Sequence, residues 1–318
     1  MASKFTIVPS LAAIAVAYPQ GTLIADQVMP RVPVYTETFR YLKYELADAL
    51  QAPETRVGRK SAPNQIDWGS SEQPASVQDH ALDAPVPNAD MNAWNLARQA
   101  GTGYVSTANP QERHAKLVMQ SVLNRREKRA ADLVFNAASY GANNKTALAG
   151  GSRWSDYETT DPLRSIMDYL DSMVMRANIG VLGRATATKL RMHPKVCKAV
   201  FGNNTDAGVA PLKAIAELLE LEDIYVGDAF LNTAAPGQAA VVSRVWGKHA
   251  AFLVRNKDAD TQGGITFGLT AQFGARVGGL VEDADIGMRG GVRVRAGESV
   301  AELVTANDLG YFVQNAVD

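Results

Sequence analysis

The sequence predicts an α+β fold, and three observations support this class. The first is a long helix over 110–139, which opens with a capping Asn109 followed by Pro110 at the first helical position. The second is an amphipathic helix after Asp161, where apolar residues recur at helical spacing. The third is a series of short apolar segments typical of strands, at 239–242, 250–254, 265–270, 291–295 and 311–317.

Capping residues predict where both helices begin and end. In the long helix, Glu112 lies at the capping-box position, and no Gly or Pro follows until Gly141. The shorter helix repeats the capping residue and proline at Asp161 and Pro162. Its predicted apolar stripe consists of Leu163, Ile166, Met167, Leu170 and Val174.

Composition limits the classes of protein to which this chain can belong. The 318 residues are 46% hydrophobic and 20% charged, with a formal net charge of −1. No apolar stretch reaches the roughly 20 residues that a membrane helix needs. Nucleic-acid binders usually carry a clear basic excess, which this chain lacks. Its one cysteine, Cys197, excludes an intrachain disulfide and is typical of a reducing compartment.

Residues 1–35 are apolar, interrupted by four prolines, and without a sustained helical period. Such a segment cannot bury a core of its own, so we predict an arm that lies across a neighbouring surface. A secretory signal is the alternative, because Lys4 precedes an apolar run over 11–17 that ends in small residues. The single Lys, the shortness of the run and the intervening Pro9 favour the arm.

Residues 36–88 have the character of a long hairpin. Phe39 and Tyr41 are two residues apart, and the segment 39–44 also contains Tyr44, which predicts a strand with one covered face. A polar stretch with Gly and Pro turn signals follows over 51–73, and 77–86 is predicted as the returning strand. Because an isolated hairpin is only marginally stable in water, we expect this one to lean on another subunit.

The middle of the long helix is rich in basic residues. Over 110–132, six basic residues outnumber three acidic ones. We favour a solvated helix face over a nucleic-acid contact, and a role in salt bridges between subunits stays open. A helix of this length with a charged middle is expected to act as a beam across a flat molecule rather than as a buried rod.

No pattern in the sequence predicts an active site, a cofactor or a metal centre. The Gly-Thr-Gly at 101–103 lacks the third glycine of a dinucleotide loop, because Ser106 occupies its position. His193 and Cys197 are four residues apart, but a zinc site normally needs three or four ligands. We therefore interpret them as a polar surface histidine near a small buried thiol, and we predict that the chain is not an enzyme.

The order of these parts resembles a known family. The local sequence also resembles that family in four segments: Leu-Ile-Ala-Asp-Gln-Val-Met-Pro at 23–30, Tyr-Leu-Lys-Tyr at 41–44, Ala-Leu-Asp-Ala-Pro-Val-Pro at 81–87, and Asp-Leu-Gly-Tyr-Phe-Val at 308–313. Over nearly its whole length the chain is similar to major capsid proteins of tailed bacteriophages with the Hong Kong 97-type fold. Encapsulin nanocompartments share that fold.

The resemblance implies a division of the chain into five regions. These are an N-terminal arm over 1–35, an E-loop hairpin over 36–88, a peripheral domain over 89–205 with a spine helix at 110–139, an axial domain over 206–305, and a C-terminal strand over 306–318 that returns to the peripheral domain.

The resemblance also implies a function without catalysis. Family members assemble as hexamers and pentamers into an icosahedral shell around double-stranded DNA, so the chain is expected in the virion after assembly in the host cytoplasm. Some members begin with a scaffolding domain of about a hundred residues. None precedes the arm here, which implies a separate scaffolding protein. A portal, and in some cases a decoration protein, would be further partners. The net charge near zero predicts only weak, non-specific contact with packaged DNA.

Candidate contacts between subunits lie on the hairpin and on the long helix: Arg56, Arg59, Lys60, Trp68, Arg125, Arg126, Lys128 and Arg129. Certain relatives crosslink a hairpin lysine to an asparagine of a neighbour. Lys60 lies near the hairpin tip, but no partner asparagine can be matched, so this activity is not carried over. Two alternatives stay open: an encapsulin-type compartment shell and, more remotely, a soluble enzyme of unfamiliar type.

Overall fold

The computed structural model describes residues 5–7, 23–44, 54–63, 65, 70–101, 109–202, 207–234 and 237–318. Helices lie at α1 (Ala25–Val28), α2 (Asn88–Ala100), α3 (Pro110–Val134), α4 (Pro162–Ser172), α5 (Arg184–Met192), α6 (Pro194–Phe201) and α7 (Leu212–Leu218). Strands lie at β1 (Phe5–Ile7), β2 (Arg31–Val34), β3 (Thr38–Tyr44), β4 (Ser70–Ser76), β5 (Gln78–Pro87), β6 (Lys145–Ala147), β7 (Ile179–Gly183), β8 (Asp223–Gly227), β9 (Phe230–Asn232), β10 (Val242–Arg244), β11 (Ala250–Leu253), β12 (Gly268–Asp283), β13 (Gly291–Val304) and β14 (Gly310–Gln314). The α+β class is confirmed.

The first sheet is built on a long antiparallel hairpin of β12 and β13. Its register runs from Gly268 opposite Val304 to Asp283 opposite Gly291, with one irregularity between Phe273 and Val277. The strand β5 pairs with β13, while β1 and β2 both pair with β12. Helix α3 packs on this sheet, because Val86 and Val294 form a buried cluster with Ala115 of the helix.

The second sheet has the order β6-β14-β11-β7-β8. Every residue of β7 is buried, as expected of a central strand covered on both faces. β7 pairs in parallel with β8, so the predicted boundary between residues 205 and 206 passes through this sheet. The C-terminal strand β14 pairs with β11 and β6 of the same sheet. The ranges of the five predicted regions stay a prediction.

One glycine of this sheet is required by close packing. A Cβ atom added at Gly227 would lie 2.1 Å from the ring of Trp246, which is fully buried. The Trp246 ring therefore rests directly on the end of β8, and a side chain at residue 227 would displace it.

The long helix begins as predicted and ends earlier than predicted. Asn109 Oδ1 accepts from the backbone N–H of Gln111 at 2.9 Å, as an N-cap should. The helix ends at Val134, so the predicted end at residue 139 is wrong. The reason is Asn136, whose side chain accepts from the N–H of Ala138 and starts a separate 3₁₀ turn over Ala137–Ser139.

The predicted hairpin is present, but its returning strand is misplaced. β3 pairs antiparallel with β4, from Thr38 opposite Ser76 to Tyr44 opposite Ser70. The prediction that 77–86 returns along β3 is wrong, because β5 pairs with β13 instead. Val77 N–H still donates to Glu37 O at 2.9 Å, so the chain leaves one sheet and enters the other within two residues.

The amphipathic helix α4 is confirmed. Leu163, Ile166 and Leu170 of its predicted stripe are buried in the main core, whereas Met167 and Val174 stay partly or largely exposed. That core also holds the strands of the second sheet and the end of α3. Within the described ranges, no helix is long and apolar enough to cross a membrane.

Candidate functional site

Residues 23–34, which we call the arm segment, pack into their own protomer. Ile24, Ala25, Val28 and Met29 belong to the main hydrophobic core. Leu23 joins a cluster on α3, and Val32 and Val34 join a third cluster on β12. The prediction that residues 1–35 lie across a neighbour is therefore wrong for the arm segment. Seven of its twelve residues enter three separate clusters of the same chain.

Glu127 of α3 binds the start of α1 in the arm segment. Its Oε1 accepts from Ile24 N–H at 2.9 Å and from the indole N–H of Trp246 at 2.6 Å, and its Oε2 accepts from Ala25 N–H at 2.9 Å. Burial raises the pKa of Glu127, although these three donors and nearby Arg126 act in the opposite direction. The carboxylate thus serves as a cap supplied from a different helix.

Arg126, the preceding residue of α3, binds the arm segment through charge. Its side chain is 2% exposed, and it donates to the carboxylate of Asp26 and, at 3.1 Å, to Thr270 Oγ1. Its Nε also lies 3.9 Å from Glu298 and 3.7 Å from Glu302. Burying an unpaired guanidinium would strongly destabilise the folded protein. The neighbouring carboxylates are therefore required for folding.

The network around Arg126 joins the arm segment, α3 and the long strands. Its ion pairs are Arg31 to Glu298 at 2.9 Å, Arg276 to Glu298 at 3.2 Å, and Arg129 to Glu302 at 2.9 Å. Burial tends to raise the pKa values of Asp26 and Glu298, but their arginine partners outweigh it, and both pKa values lie below the ordinary range. Both carboxylates are therefore held as anions.

Arg255 connects the arm segment to the second sheet. It follows β11, and its side chain is 4% exposed. Its Nη1 donates to the backbone oxygen of Gln27 at 2.6 Å and to Tyr225 Oη of β8 at 2.9 Å. Its own backbone is held by the side chain of Asn178, which bonds both its N–H and its C=O. One side chain thus bridges two parts of the chain that are far apart in sequence.

The four residues of the long helix that were predicted as contacts between subunits lie in different environments. Arg126 is buried and Arg129 bonds Glu302 through two nitrogens, so both are used inside the protomer. Lys128 forms an i,i+4 pair with Asp132 on the surface, and Arg125 is exposed. The expected solvated middle is thus wrong for Arg126 and Glu127. A signal existed, because Arg126 continues the buried stripe of Met119, Val122 and Leu123 at helical spacing.

The predicted hairpin residues that the structure describes are exposed. Arg56, Arg59 and Lys60 are exposed and follow one another around a turn in which Ser61 N–H donates to Gly58 O at 3.0 Å. Trp68 lies outside the described residues.

The histidine and thiol at 193 and 197 are structural. His193 is fully buried, so its interpretation as a surface histidine is wrong. Its Nδ1 accepts from Lys195 N–H at 3.2 Å and its Nε2 lies 3.2 Å from Thr160 Oγ1, which ties the start of α6 to the loop before α4. Cys197 Sγ lies 3.4 Å from the backbone oxygens of Arg191 and Gly208, to either of which its S–H can donate. Among the residues that the structure describes, no cluster of three metal-ligand side chains occurs.

Comparison with known proteins gives consistent matches. Residues 116–272 match the family described as phage major capsid protein E. The chain is 51% identical to the major capsid protein of Pseudomonas phage JBD67 over 315 residues, which cover 99% of this chain and 98% of that protein.

Two solved structures have the same fold. A phage-related protein of Bordetella bronchiseptica RB50 is 23% identical, with a TM-score of 0.73 over 98% of both chains. The capsid of the cyanophage P-SCSP1u is 10% identical, with a TM-score of 0.58 over 94% of this chain and 89% of that one.

Proposed function

Because this chain belongs to the phage major capsid protein family and has the Hong Kong 97-type fold, we propose that its copies assemble as hexamers and pentamers into an icosahedral shell around double-stranded DNA. Proteins of this family are structural rather than enzymatic. The relative that matches over its whole length is a phage capsid protein, so a nanocompartment shell is not favoured. As a capsid protein, the chain is a component of the virion.

The β3–β4 hairpin is the observation that supports assembly. Its described side chains are exposed or half-buried, and the turn at 54–63 is exposed throughout. The hairpin meets the rest of the protomer along β3, where Phe39 packs on the cluster of Val32 and Val34 and Leu42 N–H donates to Thr261 O at 3.2 Å. A two-stranded hairpin with so little support is marginally stable by itself. A neighbouring copy that covers it would supply the missing burial.

Charged residues on two exposed surfaces are our candidates for contacts between copies. Arg56, Arg59 and Lys60 lie at the hairpin turn, and Arg125 lies on the exposed side of α3. Each contact of this kind is weak and screened by salt. Many weak contacts made together bind tightly once the geometry closes, because each further contact is intramolecular. This is the behaviour that reversible shell assembly requires.

We assign the chain further partners by the same proposal. A separate scaffolding protein would guide assembly in the host cytoplasm, a portal would occupy one vertex, and a decoration protein is compatible with the fold. The formal net charge of −1 favours weak, non-specific contact with the packaged DNA. A strongly basic inner wall would hold the genome and hinder its release.

Deleting residues 52–69 tests the proposal, because it removes the hairpin turn and spares both strands. We expect a soluble, folded subunit whose thermal unfolding matches wild type and which forms no stable shells by electron microscopy. The matched control is Lys198→Ala, a single exposed change on α6 that should leave shells intact. Normal particles from the deletion variant would contradict the proposal.

A further inference from the structure

Apolar side chains are exposed where α5 and α6 meet the segment before α7. Ala210 N–H donates to Arg191 O at 2.9 Å, so the chain at 209–210 runs beside the end of α5. A Cβ atom at Gly208 would lie 3.7 Å from the ring of Phe201, at the end of α6. The large apolar residues exposed there, at 46%, 46% and 51%, are Met192, Phe201 and Val209. Exposed apolar residues that lie together are typical of protein interaction sites.

The same part of the molecule is strongly basic. Residues 184–213 contain six basic residues and one acidic residue, although the whole chain has a formal net charge of −1. Lys189 lies on α5, three residues before Met192, and Lys213 lies in the first turn of α7. Both lysines are exposed. We call Met192, Phe201, Val209, Lys189 and Lys213 the basic face.

The ends of α4 and α7 carry the opposite charge. The segments 168–176 and 217–223 contain six acidic residues and one basic residue. That basic residue, Arg176, pairs with Asp171 of α4 and, at 3.4 Å, with Glu220 after α7, so the two segments adjoin. Large apolar residues are exposed here as well. We call Asp171, Val174, Met175, Glu217, Leu218 and Glu220 the acidic face.

The two faces lie at opposite ends of α4 and α7. The start of α4 is beside the basic face, because Thr160 Oγ1 lies 3.2 Å from Nε2 of His193, between α5 and α6. The last turn of α4 carries Asp171 of the acidic face, and its 11 residues span about 16 Å. Likewise, α7 carries Lys213 in its first turn and ends at Leu218. The faces are therefore two distinct surfaces of one protomer.

The chemistry of the faces indicates what covers them. Phosphate groups of DNA are bound by charged and polar groups, so exposed Met, Phe and Val side chains favour a protein partner. Like charges repel across an interface and opposite charges attract, so neither face can bind a second copy of itself. Each face is, however, complementary in charge to the other, and both have apolar side chains to bury.

We propose that the basic face of one copy binds the acidic face of the next copy. Because the contact joins two different surfaces, it repeats head to tail and closes into a ring when the rotation fits. The inference rests on the proposed function, and it names the surfaces that join neighbours within each hexamer and pentamer. The charges determine which faces meet, and burial of the apolar side chains adds to the affinity.

Cysteines placed in the two faces test this pairing. The variant Val209→Cys/Leu218→Cys carries one exposed thiol in each face, and the native Cys197 is buried. Assembled chains are treated with a bismaleimide shorter than α4, which cannot join the two faces of one protomer, and are separated by denaturing electrophoresis. We expect a ladder of linked chains that ends at five and six.

The single-cysteine variants distinguish a head-to-tail contact from a symmetric one. Either variant alone should give no linked chains, because a head-to-tail contact never brings two copies of one face together. A mixture of the two single variants should stop at the dimer. Links within either single variant would overturn the pairing.

Reversing the charge of one face tests the electrostatic part. Each exposed ion pair is weak, so two charges are changed together. Lys189→Glu/Lys213→Glu, introduced into the double-cysteine chain, should lower the amount of linked pentamer and hexamer by about tenfold or more. The matched control is Arg113→Glu/Lys116→Glu, which reverses two exposed charges of α3 outside both faces and should leave the ladder unchanged. Equal losses in the two variants would overturn the role of the faces.

Melting temperatures of the unassembled chains show whether each variant folds. If Val209→Cys/Leu218→Cys does not fold, Met192→Cys/Met175→Cys places the thiols at other exposed residues of the same faces. Shells that are normal by electron microscopy but give no ladder would overturn the pairing and leave the proposed shell function standing. Failure of the wild-type chain to form shells would instead overturn the proposed function.

Discussion

The arm segment and the β3–β4 hairpin differ in how far they are buried within their own protomer. Both were expected from the sequence to be completed by neighbouring subunits, yet they differ in the structure. Residues 23–34 contribute buried side chains to three clusters, whereas the described hairpin residues are exposed or half-buried. The difference is that the arm segment meets charged partners inside its own chain, at Arg126 and Glu127, and the hairpin meets few.

This comparison shows that an apolar, proline-rich segment is not by itself evidence of an intermolecular arm. The short helix α1 has one turn and no side-chain cap of its own. An isolated helix of that length would not form. It forms here because Glu127 caps it from another helix. The hairpin receives no such cap from a buried side chain, and its described side chains are at most half-buried.

The largest expected effect on folding comes from a substitution in the buried arm segment. Met29 is fully buried, whereas Tyr35, six residues later, is 93% exposed. We expect Met29→Asp to abolish cooperative folding, because it places an unpaired carboxylate in the core. Tyr35→Asp, the matched control, should leave the melting temperature of the unassembled chain unchanged. Equal melting temperatures for the two variants would show that the arm segment is dispensable for the fold.

A second pair of variants compares adjacent residues of the spine helix. Arg126→Met removes the buried guanidinium and leaves Asp26, Glu298 and Glu302 short of a partner. We expect it to lower the free energy of unfolding by about 3–5 kcal/mol. Arg125→Met changes an exposed side chain and should cost less than about 0.5 kcal/mol. Urea unfolding measures both values, and similar losses would contradict the assignment of Arg126 to the interior.

The pH dependence of stability tests the charge network itself. In the folded protein the pKa values of Asp26 and Glu298 lie below their ordinary values of 3.8 and 4.5. The two carboxylates therefore raise the free energy of unfolding fully at pH values above 3.8 and 4.5, and this stabilisation is lost as the pH falls through the folded pKa values. Glu127 acts with the opposite sign, because its pKa is raised above 4.5 and its ionisation lowers stability as pH rises.

We therefore expect Glu298→Gln to be less stable than wild type at neutral pH. The difference between their free energies of unfolding should become smaller as pH falls from 7 to about 3. The free energy of unfolding is measured by urea titration at each pH. The matched control is Glu54→Gln, at an exposed residue of the hairpin turn, which should follow wild type throughout. A gap of constant size would argue against the network.

The smallest expected effect on stability lies at the hairpin turn. Replacing Arg56, Arg59 and Lys60 together by alanine should change the free energy of unfolding by no more than about 0.5 kcal/mol, because all three are exposed. Shell yield, measured by sedimentation, should nevertheless fall. Unchanged yield would exclude these three residues as contacts and leave the rest of the hairpin as the candidate.

Local signals in the sequence were sufficient for several elements. Asn109 and Pro110 determined where the spine helix begins, and the stripe after Asp161 determined the face that α4 buries. The aromatic residues of 39–44 predicted β3. The order of such elements along the chain already resembled the capsid family. These features were readable because caps, turns and periodicity act over a few residues.

The tertiary structure alone decided where the arm segment docks, which strand pairs with β5, and which carboxylates pair with the buried Arg126. Glu127 and Ile24 are 103 residues apart, and Arg126 and Thr270 are 144 apart. No local pattern encodes such a pairing, because a buried charge is stable only if its partners arrive from distant parts of the chain. The helical stripe could have indicated that Arg126 faces inward, but only the tertiary structure shows that Asp26 and Glu298 are its partners.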